Sequence, residues 1–107
     1  MSRYKLVVLT RPAPGREADY NAWYDKVHLP DVLAVPGFEA AERLSLERTV
    51  RGDPDGASPY LAIYDVETED PDGALAALSQ AVSSGQMTLS DAMDPQVSAW
   101  LYAVRET

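Results

Sequence analysis

Three segments of this 107-residue chain read as β-strands with apolar residues on both faces. In "RYKLVVLTR" (3–11), Tyr4, Leu6 and Val8 alternate with Val7 and Leu9; in "YLAIYDVET" (60–68), Tyr60, Ala62, Tyr64 and Val66 alternate with Leu61 and Ile63. In "VSAWLYAVRE" (97–106), Trp100, Tyr102 and Val104 alternate with Ala99, Leu101 and Ala103. A sheet covered on one side only alternates apolar with polar residues. These strands do not, so both sides of their sheet need cover.

The segments between them supply one cover. After the "PAPG" turn, Tyr20, Trp23, Tyr24 and Val27 recur at i, i+3, i+4 and i+7, the stripe of an amphipathic helix. A residue before proline is pushed out of the α region, so this helix is expected to end near His28, with Pro30 opening a short second segment, "PDVLAV", that "PGF" closes. Rough alternation in "FEAAERLSLERTV" (38–50) predicts a strand, and "RGDPDGASP" is a turn-rich connection. "DPDGALAALSQAVSSG" predicts a helix with Asp70 as N-cap, Pro71 in its first turn, Leu75, Leu78 and Val82 as apolar positions, and Gly85 at its close. "QMTLSDAMDPQ" reads as irregular, with at most one helical turn.

The resulting order, β-α-β-β-α-β, predicts one α+β domain over 1–107 of the ferredoxin-like plan: a four-stranded antiparallel sheet with both helices on one face. The other face then exposes more apolar surface than the ~300–600 Å² patch of an ordinary soluble monomer. A second copy laid sheet to sheet removes it, so a homodimer is expected, enclosing a barrel-like interior suited to a small apolar molecule. Tyr60, Tyr64, Trp100 and Tyr102 are the candidate lining of that interior, with Tyr64 the preferred polar handle. The competing reading for each is plain packing.

Charge and composition remove several functions. A formal net charge of -8, with nine scattered Lys and Arg, repels phosphate backbones and anionic lipid, so neither nucleic acid nor membrane is an expected partner. With no cysteine and one histidine there is no disulfide framework and no multi-histidine metal cage. The start of the chain lacks a secretory pattern and no apolar run approaches a membrane span, which makes the cytoplasm the expected location. The acidic "DVETEDPD" falls across a strand end and a helix start, where carboxylates cap and solubilise; "RGDPDG" lacks the ligand spacing of an EF-hand loop. No G-x-G-x-x-G, P-loop or G-x-S-x-G supports dinucleotide binding or serine hydrolysis.

One stretch is more specific. "YNAWYDKVHLPDVLAVPGF", with its W-Y-x-x-x-H-x-P core, follows a strand and a Pro-Gly turn and precedes a β-β-α-β remainder. In this it resembles the EthD-like branch of the dimeric α+β barrel superfamily, by element order over nearly the whole chain and by motif over about residues 20–38. The resemblance implies the fold strongly. It implies the reaction weakly, because that superfamily spans polyketide cyclases, a methylmuconolactone isomerase, small monooxygenases and haem-handling proteins. It also implies a pocket position for His28, which matches the motif histidine of catalytic relatives.

His28 has two readings. As a proton carrier it has Asp25 and Asp31 three residues to either side; a carboxylate or the helix end would raise its pKa, and desolvation by Trp23 and Tyr24 would lower it. As a structural residue it caps the helix end, and Asp31 caps the turn that follows. Trp23 and Tyr24 belong to the packing stripe, with Tyr24 facing His28 at i+4.

Three functions follow. The first is a cofactor-independent enzyme in which His28, with Asp31 and Tyr64, moves a proton on a small aromatic, lactone or polyketide-like substrate held by Trp23, Tyr24, Tyr60, Trp100 and Tyr102, in an isomerase, cyclase or lyase reaction. The second is a haem or small-molecule binder with His28 as ligand, and the third a noncatalytic accessory dimer.

Overall fold

A computed structural model describes residues 2–106. Four strands, β1 (Ser2–Thr10), β2 (Phe38–Ser45), β3 (Tyr60–Thr68) and β4 (Ser98–Ala103), form one antiparallel sheet in the order β2-β3-β1-β4. One face is covered by α1 (Glu17–Trp23), α2 (Leu29–Leu33) and α3 (Pro71–Ser83), as the ferredoxin-like plan requires. β2 and β4 are shorter than their apolar patterns, and the connection after β2 holds a single 3₁₀ turn, Pro54–Gly56. Residues 86–96 contain no helical turn.

The helix over "AWYDKVHLPDVL" does not end at the Leu-Pro step. Leu29 keeps right-handed helical angles (φ -58, ψ -50), and the chain runs from α1 into α2 through a π-helical turn, Tyr24–His28, in which the Leu29 N–H donates to the Tyr24 carbonyl five residues back. The extra residue in that turn carries the backbone past the carbonyl with which the Pro30 ring would collide in an α-helix. The proline is thereby accommodated, and His28 lies inside a helix rather than at its end.

α3 matches its sequence signals closely. The Asp70 side chain accepts from the Gly73 N–H at 3.0 Å and Pro71 opens the first turn. Its packing differs, because Ala74 and Ala81 are the buried positions while Leu75 and Leu78 are half-buried and Val82 is exposed. Ala74 packs at the Gly37 turn, and the larger residues lie along the edge of a cavity.

Register decides which side chains share a face. Leu6 pairs with Tyr64 and with Leu101, which places all three under the helices. Val7 pairs with Ile63 and Trp100, so these face away, together with Leu9, Leu61 and Tyr102. Lys5 Nζ and Asp65 form an ion pair on that open face, and Trp100 and Tyr102 are 52% and 58% exposed there. The apolar pattern on two faces is therefore real, with one side uncovered in the single chain.

A bulge between Phe38 and Ala40 shifts β2 by one residue. Phe38, Ala41 and Arg43 consequently all face the helices, although their numbers differ in parity. Gly37, at φ +95, makes the preceding reversal from α2 into β2, a conformation that strains any side chain.

Candidate functional site

The core is built on tyrosines. Tyr20, Tyr24 and Tyr64 are at most 1% exposed, and each buried hydroxyl has a partner: Tyr20 Oη with Thr10 Oγ1 at 2.5 Å, and Tyr24 Oη with Tyr64 Oη at 3.2 Å. Burial raises the pKa of both Tyr24 and Tyr64, so both remain neutral hydroxyls that can donate.

His28 is held by aromatic rings. The π-helical turn aligns residues five apart, and the imidazole stacks on Trp23 at 4.7 Å between centroids with planes 23° apart, while Tyr24 meets it edge-on at 4.9 Å. Trp23 is itself fixed, its Nε1–H donating to the Thr88 carbonyl at 2.8 Å. The His28 Nδ1 is enclosed without a hydrogen-bond partner. Burial pushes the His28 pKa below its ordinary value of 6.5; the Asp31 carboxylate opposes this, and the Arg43 charge adds to it.

Neither carboxylate grips the ring. Asp25 accepts from Arg43 Nη1 at 2.9 Å, and Asp31 Oδ2 accepts from the Thr88 N–H at 3.3 Å, facing a cleft with Gln86 and Met87. Asp31 reaches His28 through its field alone. The expectation of an imidazole at a helix terminus with a carboxylate partner is therefore corrected, because the helix continues past it.

His28 and Tyr64 line one cavity of about 390 Å³ between the sheet and the helices. Leu6, Val8, Ala99 and Leu101 form its floor, and Val32, Leu75, Leu78 and Val82 its walls; Ser79 is the remaining polar residue. That volume lies within the ~300–1,000 Å³ of small-ligand sites, and the lining has their character: apolar, with a few polar groups. A larger hollow of about 680 Å³ at the start of α3 is a surface cleft whose carboxylates, Glu67, Glu69 and Asp70, accompany a helix N-terminus and bring no base or donor together.

The four strand aromatics do not share a chamber. Tyr64 lines the cavity of a single subunit, whereas Trp100 and Tyr102 lie on the opposite face of the sheet. Tyr60 faces the helices, but its hydroxyl donates to Glu17 at 2.6 Å and accepts from Asn21 at 3.2 Å, away from His28. Within one chain the candidate polar groups His28 and Tyr64 meet in a cavity beneath the helices, on the side of the sheet opposite Trp100 and Tyr102. Sequence reasoning missed Arg43, which reads as a surface charge between Glu42 and Leu44, yet its side chain is 11% exposed.

No family model matches the sequence, and no curated protein matches it. Solved structures do. An EthD-like protein from Ralstonia eutropha is similar at TM-score 0.57 and 20% identity, over 92% of this chain and 91% of its own. The chain has the fold of the EthD-like proteins. SnoaB, a cofactor-independent oxygenase from Streptomyces nogalater, matches at 0.58 and 19% over 100% and 97%. The haem degrader MhuD from Mycobacterium tuberculosis, a structure with two haems in its active site, matches at 0.63 and 14% over 97% of both chains.

The residues present do not fit haem. The cavity offers one imidazole, but no lysine or arginine lines it to meet the propionates. Among the described residues no group of three or more His, Cys, Asp or Glu is placed to hold a metal ion, and no helix is long and apolar enough to cross a membrane.

The pH dependence of stability has a definite sign. Because the folded-state pKa of His28 lies below the unfolded value, the unfolded chain binds the proton first as pH falls. The contribution of neutral His28 is complete above pH 6.5 and is lost as pH drops from there through the folded value. Urea unfolding at neutral pH and near pH 5 is expected to show a larger loss of stability in the wild type than in His28→Asn, which has no proton to gain. Equal losses would mean that the imidazole is not desolvated.

Proposed function

We propose that the protein is a cofactor-independent enzyme that moves a proton on a small, mostly apolar aromatic, lactone or polyketide-like substrate bearing an oxygen. The observation that carries this reading is the convergence of His28 and Tyr64 on one apolar cavity, with the imidazole kept neutral by burial. A neutral imidazole is a competent base at neutral pH. With Nδ1 enclosed, Nε2 is the nitrogen left to face a ligand.

In the step proposed, Nε2 takes a proton from carbon next to a carbonyl. The C–H electron pair moves to form an enolate, and the Tyr64 O–H donates a hydrogen bond to the oxygen as negative charge develops there. Returning the proton to another carbon completes an isomerisation; a cyclase or lyase differs in what the enolate does next. The site therefore comprises His28 and Tyr64, with Trp23 and Tyr24 as ring supports and Asp31 as a field on the imidazole. Trp100 and Tyr102 belong instead to a sheet-to-sheet homodimer, supported by the uncovered apolar face. The alternative, a noncatalytic binder, uses the same cavity without the proton step.

Calorimetric titration with naphthol tests the location. Binding is expected, is expected to be abolished by Ala99→Phe, which fills the cavity floor, and is expected to persist in Trp100→Ala on the open face. Loss of binding in Trp100→Ala but not in Ala99→Phe would move the site between the sheets.

A further inference from the structure

Arg43 is a cation whose side chain is only 11% exposed. It stands opposite Ala62 on β2, so its side chain enters beneath the helices. The guanidinium carbon lies 4.3 Å from the ring centroid of Tyr24 and 5.2 Å from those of Tyr20 and Tyr60. Three tyrosine faces around one cation form a cation–π box. Only Nη1 has a carboxylate partner, Asp25, and Nε and Nη2 are enclosed with no hydrogen-bond acceptor. Asp25 is 59% exposed, so water screens its charge more than that of the buried guanidinium. The field left inside the fold is positive. A methionine of similar volume would fill the space without the desolvation cost.

Behind Tyr24 lies the site. The Tyr24 hydroxyl meets that of Tyr64, which lines the cavity. With Tyr24 donating to Tyr64, the Tyr64 proton is free for a ligand oxygen, and the Arg43 charge over the Tyr24 ring sets a positive field beside the pair that favours negative charge at the Tyr64 oxygen.

Building on the cavity reading above, we propose that Arg43 is a positioning residue which, through the Tyr24–Tyr64 hydroxyl pair, makes the cavity prefer an anionic ligand oxygen, a phenolate or enolate, over the neutral phenol or ketone. The charged and titratable groups around it are Asp25 on the π-helical turn, Tyr20 on α1, Glu17 on α1 through Tyr60, Tyr24, and Tyr64 on β3; His28 meets Tyr24 edge-on, and Asp31 acts on His28 through its charge.

The test uses para-nitrophenol bound to the full chain, its phenolate read by absorbance above the pH range in which His28 takes a proton. The wild type is expected to bind the phenolate more tightly, relative to the phenol, than Arg43→Met does, by roughly tenfold, the size expected of a unit charge acting across about 10 Å of protein interior. Arg43→Lys is expected to keep most of the preference. In a Tyr64→Phe background Arg43→Met is expected to change the preference by less than in the wild type, because the part relayed by the hydroxyl pair is gone and only the direct field remains. Asp25→Asn alters an exposed side chain and leaves the guanidinium without its counter-charge, so it is expected to raise the preference for phenolate even if Arg43→Met does not fold. A merely structural role would weaken both forms equally in Arg43→Met and leave the ratio unmoved in Asp25→Asn, and either result overturns the proposal. If para-nitrophenol binds in neither form, the cavity reading fails and the role of Arg43 falls with it; binding indifferent to charge removes the role of Arg43 alone.

Discussion

Replacing His28 with glutamine is expected to slow proton exchange on a bound aryl ketone by roughly 10²- to 10⁴-fold, the usual contribution of a positioned general base, while leaving the affinity for that ketone within about threefold of wild type. Tetralone in deuterated buffer gives the readout without knowledge of the natural substrate. The base removes a proton next to the carbonyl and a deuteron returns, so NMR follows loss of the signal. Glutamine keeps much of the volume beside Trp23 and Tyr24 but cannot take a proton. The wild-type rate is expected to be flat through neutral pH and to fall only below the ordinary histidine value, because burial holds the imidazole neutral until then. Tyr64→Phe is expected to lower the rate as well, since the enolate oxygen loses its donor. Should His28→Gln exchange the ketone as fast as wild type, the cavity is a binding site and the noncatalytic reading stands.

The fold is legible in the chain wherever local chemistry and burial agree. Asp70 and Pro71 open α3, and the alternation from Tyr60 to Thr68 gives β3 its bounds, because cap, proline and pleat each act within a few residues. The out-of-step alternation after Phe38 is the trace of the bulge in β2, visible as an anomaly but not interpretable until β3 supplies the register. That bulge hides Arg43, since a strand counted without it does not set Phe38 and Arg43 on one face. The π-helical turn hides the environment of His28 for a related reason. Counting at 3.6 residues per turn puts Trp23 and His28 on different faces, and a proline rule stops the helix, whereas one added residue stacks the rings and lets the helix pass. Both errors are of a single residue in the backbone path, and both fall at the site. His28 and Tyr64 were legible as chemistry-bearing residues; that they share a cavity inside one subunit depends on which face each strand presents, a property of pairing between distant segments.

Ile63→Lys is expected to turn a particle of about twice 11.7 kDa into one of 11.7 kDa in light scattering at micromolar concentration, with the cavity still able to bind naphthol. Ile63 lies on the open face of a central strand, beside Val7 on β1 and Glu42 on β2. In the single chain a lysine there meets the Glu42 carboxylate across the strand and water above it, so the fold is expected to lose no more than about 1 kcal/mol. Between two stacked sheets the same lysine is buried once in each copy, and an uncompensated buried charge costs about 3–5 kcal/mol. Two such charges related by symmetry weaken association by a factor of at least roughly 1,000, even after local relaxation. The cavity is walled by the helices and by the opposite face of the sheet, through Leu6, Tyr64 and Leu101, so separating the sheets removes none of its lining. Dimerisation and ligand binding are therefore expected to separate in this variant. A monomer that has lost naphthol binding while keeping its unfolding midpoint would show that the partner completes the site, and a dimer that survives Ile63→Lys would show that the open face is covered in some other way.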